Sequence, residues 1–159
     1  MTKLTAVQQD YLELVLRMSG DGEGVRVTDI ASVQGIKPPT VVRTLARLRT
    51  MGLVSQRERG LVHLTQDGNK IAGQLLHRHR DIAGFLTDVL GVSPEQAEAD
   101  ACVIEHGLGA DSADRLHFFL LKWSNAPVQV REALDPGNRE DSEPQFDLVK
   151  SAQVRGSRI

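Results

Sequence analysis

A single cysteine, one tryptophan and one tyrosine are all that 159 residues offer of those types. One cysteine excludes an internal disulfide. The fold must therefore be held by packing, and a free thiol fits a reducing compartment, where it stays available for metal or redox chemistry. Aromatic residues make up only 4% of the chain, so its 40% hydrophobic fraction has to build an aliphatic core. No apolar run approaches the length of a membrane span, and the opening MTKLTAVQQDY has no apolar signal core. A cytoplasmic protein with no membrane partner is expected. The chain also lacks a strong net charge, at −2, and shows no internal repeat. Its length suits one domain or two small ones.

What charge there is lies unevenly. Between Arg26 and Arg59 stand seven lysines and arginines against two acids, so a basic segment sits inside an acidic protein. That pattern points to one polyanion-facing surface and a different task elsewhere. Val7, Tyr11, Leu14, Val15 and Met18 recur at helical spacing until SGDGEG ends the pattern. VTDIASVQ reads as a short helix with Thr28 as its cap. GIKPPT reads as a turn whose prolines start the next helix, TVVRTLARLRTM, with Val41, Leu45 and Leu48 on its apolar face. The period then shortens: LVSQ and LVHL read as strands joined by RERG. Helix, short helix, turn, basic helix and hairpin make a winged helix-turn-helix.

The second half is helical. A long helix is expected from about Gln66 to Leu90, with Ile71, Leu75, Ile82, Leu86 and Val89 on one face. GVSPEQ interrupts it, and Ser93 with Pro94 and Gln96 predicts a capping box for the next helix. The stripe of that helix is Ala97, Ala101, Ile104 and Leu108. SADRLHFFLLKW is apolar on most sides, as expected of a helix that packs against another subunit. From Ser124 the composition turns polar and proline-punctuated, read as a flexible tail with one short helix near Val128–Leu134. The expected class is mainly α: a winged helix-turn-helix DNA-binding domain over 1–72, an α-helical metal-binding and dimerisation domain over 73–124, and a tail over 125–159.

A recognition helix reads base edges with the residues of its first turns. Thr40 and Arg43 stand there, with Pro39 just before; Arg43 suits guanine, and Pro39 and Thr40 a thymine methyl. Lys37, Arg47 and Arg49 are placed for phosphates, and Arg57 and Arg59 sit at the wing tip. The alternative is a solvated basic helix used for protein contacts.

ACVIEHGL holds the cysteine. Cys102, Glu105 and His106 fall within one helical turn, and Glu98 lies one turn earlier. His79 sits on the apolar face of the long helix, and Asp10 and Glu13 share a face of the first. Together these donors suit one or two divalent-cation sites. Each has an ordinary reading too: Glu13 with Arg17 as an i,i+4 ion pair, His79 as a core histidine, Cys102 as a small hydrophobe. A regulator that senses oxidation through Cys102 without metal is one rival. An enzyme with Cys102 as nucleophile and His106 as base is another, but no third group orients that pair.

Over roughly residues 5–123, the stretches DYLE, KPPTVVRTLARLRTMGLV, RGLVHLTQDGNKIA, RHRDIAGFL and ACVIEHGL resemble the iron- and manganese-dependent repressors, the diphtheria toxin repressor and manganese transport regulator family. The resemblance implies a homodimer, a double-stranded DNA operator and a divalent metal, Fe2+ or Mn2+, as corepressor. It implies Asp10, Glu13, His79, Cys102, Glu105 and His106 as ligands. Cys102 matches the iron branch, where the manganese branch has glutamate; Asp10 departs from the iron branch, which has methionine there. The iron branch's ancillary site keeps His79 but meets Ala83 and Glu98 at its other two positions. The residues after Ser124 are too few for that branch's third domain, so a two-domain form is implied. A soft thiolate also admits Co2+ or Zn2+.

Overall fold

The computed structural model describes residues 4–20, 23–56 and 60–134. Their elements run in the order α1 (Ala6–Met18), α2 (Val27–Gln34), α3 (Pro38–Thr50), β1 (Val54–Gln56), β2 (Val62–Leu64), α4 (Gln66–Asp88), α5 (Pro94–Ile104), α6 (Ala110–Ser124) and α7 (Val128–Leu134). Helix α1 opens with a reciprocal cap: the Thr5 hydroxyl accepts from the Gln8 amide, and the Gln8 side chain accepts from the Thr5 N–H. It buries Tyr11, Leu12 and Val15. The expected stripe needs correction here. Val7 is 55% exposed, whereas Leu12 is fully buried. The reason is that α1 packs against α3 and β2 as well as against α4, which widens and turns its buried face.

Helix α2 starts one residue before the expected cap. Arg26 takes the extended cap position, and the Thr28 hydroxyl donates instead to Asp29. Gly35 then adopts φ 64°, a left-handed conformation that glycine reaches without steric cost, and the chain turns into α3. Prolines at the first positions of α3 need no intrahelical donor. Val41, Leu45 and Leu48 are buried as their spacing predicts, and they share a core with Ile30, Ala31 and the α1 residues. The hairpin pairs Val54 with Leu64 and Gln56 with Val62. Val25 adds a further bridge, exchanging two backbone hydrogen bonds of 2.8 Å with Val62. That pairing follows a glycine-rich stretch with no strand pattern. The fold is thus a winged helix-turn-helix.

Thr65 caps α4 by accepting from the Gly68 N–H. Helix α4 continues without a break through the expected boundary at residue 72, ends at Asp88, and packs on α1, α5 and α6. Ser93 caps α5 as expected, but the box is only half formed, because the Gln96 side chain donates to Asp100 instead. Helix α5 stops at Ile104, which is 40% exposed. Ala97, Ala101 and Glu105 therefore hold the inward positions; of the expected stripe Ala97, Ala101, Ile104 and Leu108, Ile104 turns outward and Leu108 lies half-buried beyond the helix. On α6, Trp123 is buried and its indole donates to the Asp88 carbonyl, while Phe118, Phe119 and Leu121 stay exposed. Helix α7 forms where expected and buries no residue. The rest of the expected tail, 135–159, and wing-tip Arg57 and Arg59 lie outside the described residues. No helix among the described residues is long and apolar enough to cross a membrane.

Candidate metal centre and nucleic-acid interface

Three helices converge on one polar cluster. Helix α1 supplies Asp10 and Glu13, α4 supplies His79, and the C-terminal end of α5 supplies Cys102, Glu105 and His106. The sequence expectation of a single helical turn carrying the last three is corrected: Cys102 is helical, Glu105 is the cap residue, and His106 lies in the turn beyond. Leaving the helix there swings the imidazole towards α1.

Glu105 is the centre. Its side chain is 2% exposed; Oε2 lies 3.1 Å from His79 Nδ1 and Oε1 lies 3.6 Å from His106 Nε2. His106 Nε2 also meets Asp10 Oδ1 at 2.8 Å. Two groups of potential ligands result, His79–Cys102–Glu105 and Asp10–Glu105–His106, each with one donor atom per residue within 4.8 Å of the others. Glu105 belongs to both. Glu98, a candidate further ligand beyond those six, reaches the other ring nitrogen of His79, with Oε2 2.6 Å from Nε2. It is placed to orient the ring while Nδ1 faces the cluster.

Glu13 is buried beside both groups. Oε2 sits 3.4 Å from the Arg17 guanidinium, so the ordinary ion pair exists, but Oε1 has no partner. A buried carboxylate oxygen without a partner is costly unless a cation or water satisfies it. Burial raises the Glu13 carboxyl above its usual range, and the Glu105 charge raises it further. Burial likewise raises Glu105, against the lowering by His79 and His106. It raises the Cys102 thiol too, with Glu105 adding to the effect. Three acidic groups that resist ionisation in one place form a site short of positive charge. Five harder N and O donors and one thiol suit a divalent transition metal.

Two supporting residues escaped the sequence reading. Gln9 Oε1 lies 3.1 Å from His106 Nδ1. Arg78 donates to the Glu105 and Leu108 carbonyls at 3.2 and 3.3 Å, which pins the turn that carries Glu105 and His106. Gln9 adjoins Asp10 and Arg78 adjoins His79, but a sequence does not show which side chains reach across helices.

Helix α3 and its cap residue Lys37 present Lys37, Pro39, Thr40, Arg43, Arg47 and Arg49, all exposed, while the opposite side of α3 is buried. Residues 3–62 match the family model described as iron dependent repressor, N-terminal DNA binding domain. Residues 65–129 match the one described as iron dependent repressor, metal binding and dimerisation domain. The chain belongs to the iron-dependent repressor family. It is 38% identical over 113 residues to the transcriptional regulator MntR of Escherichia coli O157:H7, covering 71% of this chain and 72% of that one. It is 34% identical over 138 residues to the HTH-type transcriptional regulator MntR of Shouchella clausii, covering 86% and 95%. Among solved structures it is similar to the manganese regulator SloR, with a TM-score of 0.63, 28% identity, and coverage of 76% of this chain and 54% of that chain.

As a member of this repressor family the protein is a metal-dependent, DNA-binding transcriptional regulator. The rival reading of Cys102 as a metal-free oxidation sensor is not supported. Reactive sensor thiols are low in pKa, whereas this one, though exposed, is raised by the partial burial of its sulfur and by neighbouring carboxylates. As for a Cys102–His106 pair, both His106 nitrogens are already engaged, one by Asp10 and the other by Gln9.

Proposed function

We propose that Asp10, Glu13, His79, Cys102, Glu105 and His106 hold the regulatory divalent metal, Fe2+ or Mn2+, and that its binding readies a homodimer for a double-stranded DNA operator. The observation that carries this reading is Glu105, buried and facing both ligand groups, with Glu13 Oε1 unpartnered beside them. A bound divalent cation supplies the positive charge this cluster lacks. The chain's own residues do the rest. Asp10 and Glu13 belong to the DNA-binding half; His79, Cys102, Glu105 and His106 belong to the helical half. Drawing them together fixes α1 against α4 and α5, and so fixes where α3 stands. In a dimer that uses the exposed Phe118, Phe119 and Leu121 of α6 as its interface, this sets the spacing of two α3 helices. Paired recognition helices read half-sites about one DNA turn apart, so a fixed spacing favours the binding-competent state. Metal and DNA affinities are then reciprocally coupled.

The thiol of Cys102 favours softer ions and the carboxylate of Asp10 harder ones, so both Fe2+ and Mn2+ are expected to activate. The test is operator binding measured against a panel of divalent metals for the parent and His106→Ala. We expect metal-stimulated binding in the parent. In the variant we expect a loss larger than the roughly 10–100-fold that an outer-sphere partner typically accounts for. Undiminished stimulation in the variant would remove the assignment.

A further inference from the structure

His77 lies two residues before His79, which turns its side chain about 200° around α4 and away from the regulatory cluster. There it meets a second set of donors. Asp81 is one turn further on the same face of α4, and His117 comes from α6. The Asp81 carboxylate oxygens lie 3.4 and 3.2 Å from His117 Nδ1, and Oδ1 lies 3.9 Å from His77 Nδ1. The two imidazoles meet edge to face with centroids 4.7 Å apart. One donor atom from each residue lies within 4.8 Å of the other two. Asp114, one turn before His117 on α6, lines the same cleft.

A hydrogen bond between Asp81 and His117 alone would serve only to satisfy a carboxylate that is 16% exposed. It leaves unexplained a second imidazole, 62% exposed, turned onto the same carboxylate. A four-coordinate ion with bonds near 2.0–2.1 Å needs donors about 3.3 Å apart. The Asp81–His117 pair already meets that, and rotation of the exposed His77 closes the rest. The spacing is that of sites built from facing helices, with one residue pair at i,i+4 on one helix and a donor from the next.

We propose that His77, Asp81 and His117 form a second divalent-cation site, separate from the regulatory one, that takes Zn2+ in preference to Mn2+. Two imidazoles with one carboxylate favour the borderline ions late in the divalent series, whereas Mn2+ binds such a set weakly. The exposed mouth at His77 leaves a position for water or for Asp114. An ion there links α6, which carries the exposed Phe118 and Phe119, to the long α4. It would thereby hold the aromatic face of α6 in a fixed position.

The test uses the full chain on a His106→Ala background, which weakens the regulatory site. Zn2+ is titrated in competition with a chromogenic chelator, and Mn2+ is titrated in parallel. With His77 and His117 intact, we expect one Zn2+ per chain, beyond any held by the weakened regulatory cluster, that is not displaced by equimolar Mn2+. His77→Ala should weaken it at least tenfold, and His77→Ala with His117→Ala should abolish it. His77 is mostly exposed, so its single replacement leaves folding intact and keeps the test decisive if the double variant misfolds. Equal Zn2+ stoichiometry and affinity with and without His77 would overturn the proposal. So would Mn2+ binding at this site as tightly as Zn2+.

Discussion

Cys102 and Arg43 are the residues whose replacement separates the two jobs of this protein. Cys102 stands where a carboxylate would give an all-hard oxygen and nitrogen ligand set. Changing Cys102 to Glu should shift the metal response of operator binding towards Mn2+ and away from Fe2+ and Co2+, because a thiolate prefers the softer ions. Titration of DNA binding with each metal reads this out, and superimposable curves for variant and parent would mean that the thiol does not coordinate. Arg43 is exposed on α3, one turn into the helix. Arg43→Ala should weaken operator binding by about 1–3 kcal/mol and relax base preference at one position, as expected if its guanidinium grips a guanine. Binding measured on a panel of single-base operator variants checks both. An unchanged preference in a folded dimer removes Arg43 from base readout.

Among the elements, α4 does most to join the two halves, and its start depends on one glycine. A methyl group on Gly68 would run into the Leu53 carbonyl oxygen, a backbone atom with little room to move. The Leu53 carbonyl is also held by the Thr65 N–H, and the Thr65 hydroxyl donates to Gly52. Gly68→Ala removes no contact and improves intrinsic helix propensity, so local propensity alone predicts stabilisation. The close approach predicts the reverse: a loss of about 1–3 kcal/mol, typical of overpacking. Chemical denaturation of the metal-free protein decides between them, and a variant as stable as the parent would show that α4 shifts freely there.

For the whole molecule, the open question is what the segment after α6 contributes. Helix α7 buries no residue. The apolar surface offered for a subunit contact lies on α6, with Phe118 65% and Leu121 48% exposed. A chain truncated after Ser124 should therefore still dimerise in response to metal, with a dissociation constant within a few-fold of the full chain by sedimentation. A folded but monomeric truncation would instead place the segment in the interface.

The sequence by itself determined the order of elements and singled out the six candidate donors. Apolar spacing gave α3 and α4, Gly35 and Pro38 the turn between α2 and α3, and composition the basic face. These are local properties, carried by neighbours along the chain. The six expected ligands were legible because side-chain type and family motif both point to metal. Only the tertiary structure decided how they meet. Helix α5 ends at Ile104, so His106 leaves the helix and reaches Asp10 on α1. Glu98 turns out to contact His79, and Arg78 to hold the Glu105 carbonyl. Val25 pairs with Val62 although its sequence surroundings show no strand pattern. Each of these is a contact between residues far apart in sequence. Its existence depends on where packed helices and strands bring side chains and backbone, which periodicity along one element does not encode.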